Sequence, residues 1–407
     1  MLGVQNLVIE EVGLEAEGPD EVLVARVRPT RSRLLRCGVC NRKSPGYDQG
    51  KGRRRWRSLD LGSTKTYLEA DAPRVTCREH GVVVAAVPWA RAGARFTTAF
   101  EDQCAWLAAH ADGTTTAVLM RTTWRTVTSI VTRVVAELSG KTDQLDGLHR
   151  IGIDEMSHRR GHRYITVVID HDTGLIVWAT AGKGGTAMLK FFDELGADRA
   201  KLLTHVSADG AEWIHKAVKA RAPQALICMD PFHVAQWASK ALDRVRQETW
   251  RAASSSWGQG SPARLKGERW ALLKNPGDLT TGQCATLNTV AQTNKTLYRA
   301  YLLKEQLRVA VTTKGPAGIA MLSAWTSWAT RCRIPAMVKL ARTIKHYLQY
   351  ILNTMNHGLT NARTEATNTH LRVLTRRSYG FHTPEALIAM AMLTRGGLCP
   401  ALPGRAA

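Results

Sequence analysis

Hydrophobic periodicity divides this chain into a strand-rich beginning, a helical stretch, an α/β region and a long helical remainder. Residues 7–12, 21–29 and 66–77 alternate apolar and polar side chains, with Gly, Pro and Asp between the segments. From about residue 96 the apolar positions recur every three or four residues instead. The pattern therefore predicts a small β module followed by helices.

The helical stretch predicts three helices, at 96–111, 114–121 and 123–138. Thr97 or Thr98 is expected to cap the first helix, and Asp112-Gly113 ends it. Helix, short turn and helix are typical of a helix-turn-helix, although a plain helical hairpin between two domains gives the same pattern. In a helix-turn-helix, four residues would be directed at base edges: Thr123, Arg125, Thr126 and Ser129.

The next region alternates strands and helices in a recognisable order. The predicted elements are strands at 149–156, 162–170 and 174–182, a helix at 186–197, a strand at 202–210, a helix at 211–222 and a strand at 225–234. Three antiparallel strands followed by αβαβ is the order of the ribonuclease-H-like fold. In that fold the first and fourth strands are neighbours.

Three carboxylates have the settings of a metal site in such a fold. Asp154 lies on the first strand, Asp209 ends the fourth, and Glu365 lies far downstream in a Thr/Asn-rich helical stretch. Two divalent ions bridging such carboxylates could activate a hydroxyl nucleophile and stabilise the leaving oxygen at a phosphodiester. Asp154, Asp209 and Glu365 are therefore the predicted catalytic residues, with two Mg2+ (or Mn2+) ions as cofactors.

Other acids compete for these roles. Glu155 would point to the opposite face of the strand from Asp154, whereas Asp170 and Asp172 are expected in a turn. Asp230 and His233 follow the next strand, so we predict a supporting role in orienting a ligand or contacting the scissile phosphate. A helix cap and a packed histidine are the alternative.

The helix around Glu365 carries further candidates. At 100° per residue, Asn368 and Arg372 share the face of Glu365, and Arg376 continues it. A metal-binding carboxylate, an amide and cations on one stripe suit a phosphate backbone, although a solvated polar face is the alternative. We predict supporting roles for Asn368 and Arg372, and DNA contacts for Arg376 and Arg377.

Strand patterns vanish between His233 and about residue 355, where apolar residues at helical spacing predict an all-helical insertion within the core. The predicted helices are 234–253, 296–312, 319–332 and 335–355. The predicted domains are a zinc-binding strand-rich module (1–92), a helix-turn-helix (93–142), the first part of the core (143–234), the insertion (235–356), the core completion with the Glu365 helix (357–398) and a disordered tail (399–407).

The charge balance indicates the partner. Lys plus Arg number 56 against 34 Asp plus Glu, which gives a net charge of +22 and favours a polyanion. A ribosomal protein, a membrane-surface protein or an Arg-rich coding bias would show a similar balance, but the clustering of the cations favours nucleic acid. No apolar run of about 18 residues suggests a membrane span, and the isolated cysteines do not suggest a disulfide framework. We expect a cytoplasmic, nucleoid-associated protein.

Two short motifs predict a structural zinc site. Cys37-x2-Cys40 and Cys77-x2-His80 each place two zinc-type ligands on a tight turn, although chance can produce either pair. A closed site of this kind would be architectural. Between the pairs a glycine-rich turn precedes a basic run expected to contact phosphates or a minor groove, with a solvated hairpin tip as the alternative. That run contains Arg53, Arg54, Arg55 and Arg57.

The order of these motifs resembles the bacterial insertion-sequence transposases of the ISL3 group. The resemblance covers nearly the whole chain and is most specific at 152–155, 207–210, 230–234 and 365–381. It implies a DDE transposase in which Asp154, Asp209 and Glu365 hold the metals. Two departures stand out: Ala366 replaces the usual Gly after the glutamate, and His80 stands in a zinc module that often uses cysteines alone.

The activity implied by this resemblance has two steps on double-stranded DNA. Hydrolysis at each transposon end would free a 3′-hydroxyl, which would then attack target DNA. The zinc module and the helix-turn-helix would recognise the terminal inverted repeats, and pairing two ends would require at least a dimer. A structure-selective nuclease of the same fold and a non-enzymatic DNA-binding regulator remain alternatives.

Overall fold

The computed structural model describes residues 5–159, 163–256, 269–378 and 380–405. Trp257, one of the tryptophans of the predicted insertion, and Tyr379, within the 365–381 motif, lie outside these ranges. The chain divides into two compact units. The first comprises Met1–Asp143 with Leu374–Ala407, and the second is Gln144–Val373.

The first unit begins with two small sheets, as the period-two alternation predicted. The strands are β1 (Leu7–Glu17), β2 (Asp20–Pro29), β3 (Gly46–Asp48), β4 (Arg53–Arg57), β5 (Lys65–Asp71), β6 (Arg74–Cys77) and β7 (Gly81–Val84). One sheet has the order β1-β2-β5-β4 and the other β3-β6-β7. The core of the first sheet contains Trp56 and Leu68, and Trp89 meets Trp56 edge to face.

Helices complete the first unit. They are α1 (Thr98–His110), α2 (Gly113–Leu119), α3 (Trp124–Ser139) and the C-terminal α14 (Pro384–Arg395). Thr97, Asp112 and Thr123 cap α1, α2 and α3 by accepting hydrogen bonds from backbone N–H groups of the first turn. The apolar stripe of α3 is buried and packs against α1 and α14, so the opposite stripe is left exposed.

The second unit contains a five-stranded sheet. Its strands are β8 (Arg150–Arg159), β9 (Arg163–Asp170), β10 (Ile176–Ala181), β11 (His205–Ala208) and β12 (Leu226–Met229). The order is β10-β9-β8-β11-β12, with β9 antiparallel to its neighbours and β8, β11 and β12 parallel. This topology is consistent with the predicted ribonuclease-H-like core. Helices α4 (Gly185–Leu195), α5 (Ala197–Ala200) and α6 (Glu212–Arg221) pack against it.

A helical part follows β12 directly. Its helices are α7 (Pro231–Ser256), α8 (Thr281–Thr293), α9 (Lys295–Thr312), α10 (Gly315–Arg331), α11 (Pro335–His346) and α12 (Leu348–His357), and α13 (Ala362–Arg377) then carries Glu365. Trp325 is fully buried in the core of these helices. In the described ranges, none of the helices combines the length and apolar character needed to cross a membrane.

One predicted helix is in fact two. The apolar pattern at 335–355 is continuous, but the helix is interrupted at Tyr347, which has φ −97° and ψ 12°. The ring of Tyr347 packs against Trp237, and its hydroxyl donates a hydrogen bond to the carbonyl of Gly210. Because these contacts come from distant elements, periodicity could not show the break. Beyond it, Asn353 and Thr354 of α12 donate to backbone carbonyls of β12.

Candidate active site and DNA-binding modules

Sheet register aligns three aspartates at one end of the parallel strands. Gly152 of β8 pairs with Ser207 of β11, so two residues further along Asp154 stands level with Asp209. Ala208 pairs with Met229 of β12, so the next position places Asp230 level with Asp209 on the other side. Neighbouring strands lie about 4.8 Å apart. Asp209 is therefore the middle member of a row of three carboxylates.

The carboxyl group of Asp154 has a raised pKa. Burial raises the pKa of Asp154 to about 6, and the negative charge of Asp209 adds to the effect, while the hydrogen bond from the Glu155 N–H opposes it. The other oxygen, Oδ2, accepts a 2.6 Å hydrogen bond from Asn368 Nδ2. Glu155 points away, as its alternation with Asp154 predicted, and accepts from Gly184 N and Trp213 Nε1.

Residues of α6 and α7 hold the loop that carries Asp209. The Asp209 carbonyl accepts a 2.9 Å hydrogen bond from His215 Nε2, and its carboxylate accepts from Ala211 N at 2.9 Å. A Cβ at Gly210 would lie 2.5 Å from the Trp237 ring. Gly210 is therefore required for the close approach of the Trp237 indole of α7. The sequence pattern did not predict this contact.

Asp230 and His233 lie at the same site. Asp230 is buried and its Oδ2 lies 3.2 Å from His233 Nδ1. This hydrogen bond raises the pKa of His233, and the negative charges of Asp209, Asp230 and Asp154 reinforce the rise. Asp230 also directly precedes Pro231, the first residue of α7. Asp230 therefore lies both at the start of a helix and in the carboxylate row.

Glu365 reaches the site from α13. Burial raises the pKa of Glu365, as does the charge of Asp230, whereas His233 and Arg372 lower it. Glu365 therefore lies near the Asp230 end of the row, while Asn368, one turn further, contacts Asp154. Asn368 is buried, and its Oδ1 has no hydrogen-bond partner among the described residues.

The N-terminal turn of α13 packs tightly on the sheet. A Cβ at Gly152 would lie 2.5 Å from Thr364 Oγ1 and 2.8 Å from His171 Nε2. His171 Nε2 shares a 2.7 Å hydrogen bond with Ser207 Oγ, and Arg363 donates to the His171 carbonyl. The sequence alone did not predict this contact between α13 and β8. An isolated glycine within a strand pattern was the available signal, because it often marks close approach of another element.

The zinc ligands converge as predicted. The ligand atoms of Cys37, Cys40, Cys77 and His80 all lie within 4.8 Å of one another, and Cys40 Sγ to Cys77 Sγ is 3.7 Å. These spacings suit four ligands about one tetrahedral zinc, for which Zn–S is about 2.3 Å. The hydrogen bond with His80 lowers the pKa of Cys77 to about 6, which favours the thiolate that binds zinc.

Within the described ranges this is the one group with at least three candidate ligand atoms all inside 4.8 Å. The carboxylates of Asp154, Asp209 and Glu365 are more widely spaced. All eight cysteines are free thiols, in agreement with the absence of a predicted disulfide framework.

The basic run between the zinc motifs lies on β4 rather than in a turn. Arg53 and Arg55 bind the carboxylate of Glu69, and Arg57 binds Asp60. Arg54 donates a 2.6 Å hydrogen bond to the carbonyl of Ala94. These guanidinium groups therefore already have acceptors within the protein, and their contacts with DNA stay a prediction.

The other predicted DNA contacts lie on two helices. Thr123 caps α3, and its hydroxyl lies 3.0 Å from that of Thr126, which is half-buried. Arg125 and Ser129 are exposed on the same helix. Arg372, Arg376 and Arg377 are exposed along α13.

Comparison with known proteins agrees with this arrangement. A family model described as a transposase (the DDE domain of the ISL3 family) matches residues 151–391. A zinc-finger of transposases IS204/IS1001/IS1096/IS1165 matches residues 33–80, and the helix-turn-helix domain of transposase family ISL3 matches residues 85–135. A zinc ribbon, a helix-turn-helix and a DDE transposase domain thus follow one another along the chain.

Full-length relatives give the same answer. The chain is 49% identical to the transposase for insertion sequence element IS1557 of Mycobacterium tuberculosis, over 100% of this chain and 96% of the relative. It is 27% identical to the transposase for IS1001 of Bordetella parapertussis, over 91% of this chain and 90% of that protein. The chain therefore belongs to the ISL3 family of insertion-sequence transposases. The predicted family, fold class and transposase function are confirmed, and the helix-turn-helix indicates that the protein binds DNA.

Proposed function

We propose that this transposase cuts the ends of its insertion sequence by metal-dependent hydrolysis and joins the freed 3′-hydroxyl to target DNA. The observation that supports this most strongly is the hydrogen bond between Asn368 and Asp154. It brings the helix that carries Glu365 onto the strand end where Asp154 and Asp209 stand level. A row of carboxylates joined by a distant glutamate is the ligand set that the DDE assignment requires.

The residues present suit hard divalent cations. Asp154, Asp209 and Glu365 supply carboxylate oxygens, the preferred ligands of Mg2+ and Mn2+. Asn368 adds a buried carbonyl oxygen that lacks a partner in the described structure. When bound, two such ions would supply charge neutralisation at the phosphate and a lowered pKa for the attacking hydroxyl. A bound cation would also stabilise the ionised form of Asp154, whose pKa is raised by burial and by the charge of Asp209.

The neighbouring side chains have supporting roles in this proposal. Asn368 fixes the orientation of the Asp154 carboxylate through its amide N–H. His233, held by Asp230, presents a donor at the edge of the carboxylate row and would contact the scissile phosphate. The exposed Arg372 guanidinium lies near Glu365 and would bind a neighbouring phosphate. Reaction proceeds by positioning and charge stabilisation, without a covalent protein intermediate.

DNA recognition is assigned to the first unit. A structural zinc held by Cys37, Cys40, Cys77 and His80 would stabilise the ribbon. The exposed side of α3 would contact base edges of the terminal inverted repeats through Arg125, with phosphate contacts from the arginines of β4 and of the end of α13. Joining two ends requires at least a dimer. We place the protein in the bacterial cytoplasm, associated with the nucleoid.

A strand-transfer assay tests this function. Purified zinc-loaded protein is incubated with Mg2+, a labelled duplex carrying one end of the element, and a supercoiled target plasmid. The proposal predicts both cleavage at the end and covalent joining of its 3′ strand to the plasmid. An end that is already cut is supplied as a second substrate. Cleavage of the intact end, together with no joining of the precut end, would support the nuclease alternative. Binding without cleavage in Mg2+ or Mn2+ would support the regulator.

A further inference from the structure

A shallow, open groove along the exposed face of α11, in the helical part of the second unit, carries positive charge. It has a volume of about 830 Å³ and is lined by Arg333, Pro335, Val338, Lys339, Arg342, Thr343, His346 and Tyr347. Its lining contains three cations and no acid. The exposed face of α11 forms its floor, while Met337, Leu340 and Ile344 on the opposite face are buried in the helical core.

The cations of this groove are available to a ligand. Arg333, Lys339 and Arg342 are exposed, and none of them has an ion pair with an acid anywhere in the described ranges. This differs from β4, where Arg53, Arg55 and Arg57 are bound to carboxylates. A phosphate could therefore bind in the groove without displacing an internal partner.

The backbone at Arg333 has a conformation that is uncommon for a residue other than glycine. Arg333 follows α10 with φ +59°, the left-handed conformation in which a helix usually ends on glycine. A non-glycine residue pays a conformational cost at this position. Glycine would relieve that cost and remove the cation at the same time, which makes Arg333→Gly an informative substitution.

Tyr347 links the groove to the loop that carries Asp209. Tyr347 lines the end of the groove, and the Tyr347 hydroxyl donates a 3.3 Å hydrogen bond to the carbonyl of Gly210, the residue after Asp209. The twelve residues of α11 span about 18 Å, which matches about five nucleotide steps along one DNA strand. We propose that this groove holds the phosphate backbone of the DNA duplex beside the bond that is cut. The inference rests on the proposed function in that Asp209 is taken to mark the cut site.

Because the proposed contacts are to phosphates, the contribution of the groove should be independent of DNA sequence. Lys339→Gln/Arg342→Gln removes two of its charges. Lys295→Gln/Lys314→Gln is the matched control, because Lys295 and Lys314 are exposed cations of the same helical part outside the groove. Affinity is measured by fluorescence anisotropy on full-length zinc-loaded protein, with a labelled duplex carrying the end of the element, at several salt concentrations and without Mg2+.

We expect the groove variant to bind more weakly than the control variant. The slope of log K against log salt should also be shallower by about two, because each lost phosphate contact removes about one unit. Equal slopes for the two double variants would overturn the proposal. Because binding is measured without Mg2+, either result is independent of whether Asp154 and Asp209 hold metal.

Arg333→Gly separates the contact from folding. Glycine accepts the +59° φ without strain, so the thermal midpoint of unfolding should not fall, whereas DNA affinity should decrease. Unchanged affinity in a variant with an unchanged or higher midpoint would mean that Arg333 does not contact DNA, and would overturn the proposed path along the groove.

Discussion

Asn368 Nδ2 donates a 2.6 Å hydrogen bond to Asp154 Oδ2 and so joins two residues 214 positions apart in the chain. The contact joins α13 directly to β8, although the helical part lies between these two elements in the sequence. It also explains why an amide lies one turn after Glu365: it orients a carboxylate on the sheet while Glu365 approaches the other end of the row.

Replacing Asn368 should weaken the metal site. In Asn368→Ala, Asp154 loses its amide donor, so we expect half-maximal cleavage to require about 10- to 100-fold more Mg2+, the usual cost of losing a partner of a metal ligand. The measurement is the rate of end cleavage as a function of Mg2+ concentration. Thr369→Ala is the control, because Thr369 is exposed on the same helix. An unchanged Mg2+ dependence in Asn368→Ala would refute this role.

Gly152 should be sensitive to the smallest substitution. The Cβ of Gly152→Ala would lie 2.5 Å from Thr364 Oγ1 and 2.8 Å from His171 Nε2, so the side chains of Thr364 and His171, or α13 itself, must shift. We expect a loss of about 1–3 kcal/mol in unfolding free energy, measured by denaturant titration, and slower cleavage. Gly282→Ala in α8 is the control, because a Cβ there meets nothing within 4 Å. Equal stability of the two variants would rule out the tight contact.

His171 should make stability depend on acid pH. Burial lowers the pKa of His171 to about 4, and the charges of Arg363 and Arg150 add to the effect, whereas an unfolded histidine titrates near 6.5. Because the unfolded histidine takes up a proton at higher pH than His171 does in the fold, the free energy of unfolding is at its full value above pH 6.5. It decreases as the pH falls toward 4. The loss between pH 7 and 4 should be about 3 kcal/mol.

Urea unfolding across this pH range tests the effect. His171→Gln should remove this part of the pH dependence, because glutamine does not titrate and can still bond Ser207. If the wild type and His171→Gln lose the same free energy of unfolding between pH 7 and 4, His171 is not the group responsible.

The protein should bind one zinc ion per chain, and this ion should have a structural role. Cys77→Ser replaces a thiolate ligand, so the protein should lose its bound zinc, measured by atomic emission, and its affinity for end DNA should fall as the ribbon unfolds. Cys284→Ser is the control, because Cys284 is exposed and lies outside the cluster. One zinc per chain retained in Cys77→Ser would show that the four residues do not form the site.

Elements with strong local signals could be predicted from sequence. The cap at Thr97, the α/β order and the convergence of Cys37, Cys40, Cys77 and His80 follow from periodicity, capping chemistry and ligand spacing. The proximity of Asp154 and Asp209 also follows, because the fold makes their strands neighbours. The register that sets the two residues level is seen only in the structure.

Features set by tertiary contacts could not be predicted. The end of the next strand predicted Asp230 at the same sheet edge, but only the register shows that it is level with Asp209. Only packing shows that Gly152 and Gly210 make room for a helix and an indole. The break at Tyr347 is fixed by contacts with Trp237 and Gly210, not by a helix-breaking residue. The ion pairs of Arg53 and Arg55 depend on which acids the neighbouring strands present.

The most direct test of the central claim is Mg2+-dependent cleavage of end DNA by Asp154→Asn, Asp209→Asn and Glu365→Gln, each compared with wild type at equal DNA occupancy. Each amide keeps the size of the side chain but removes the charge that holds a cation. We predict that each variant binds end DNA normally and cleaves it at least about a hundredfold more slowly. Wild-type cleavage by any one of them would contradict its assignment as a metal ligand.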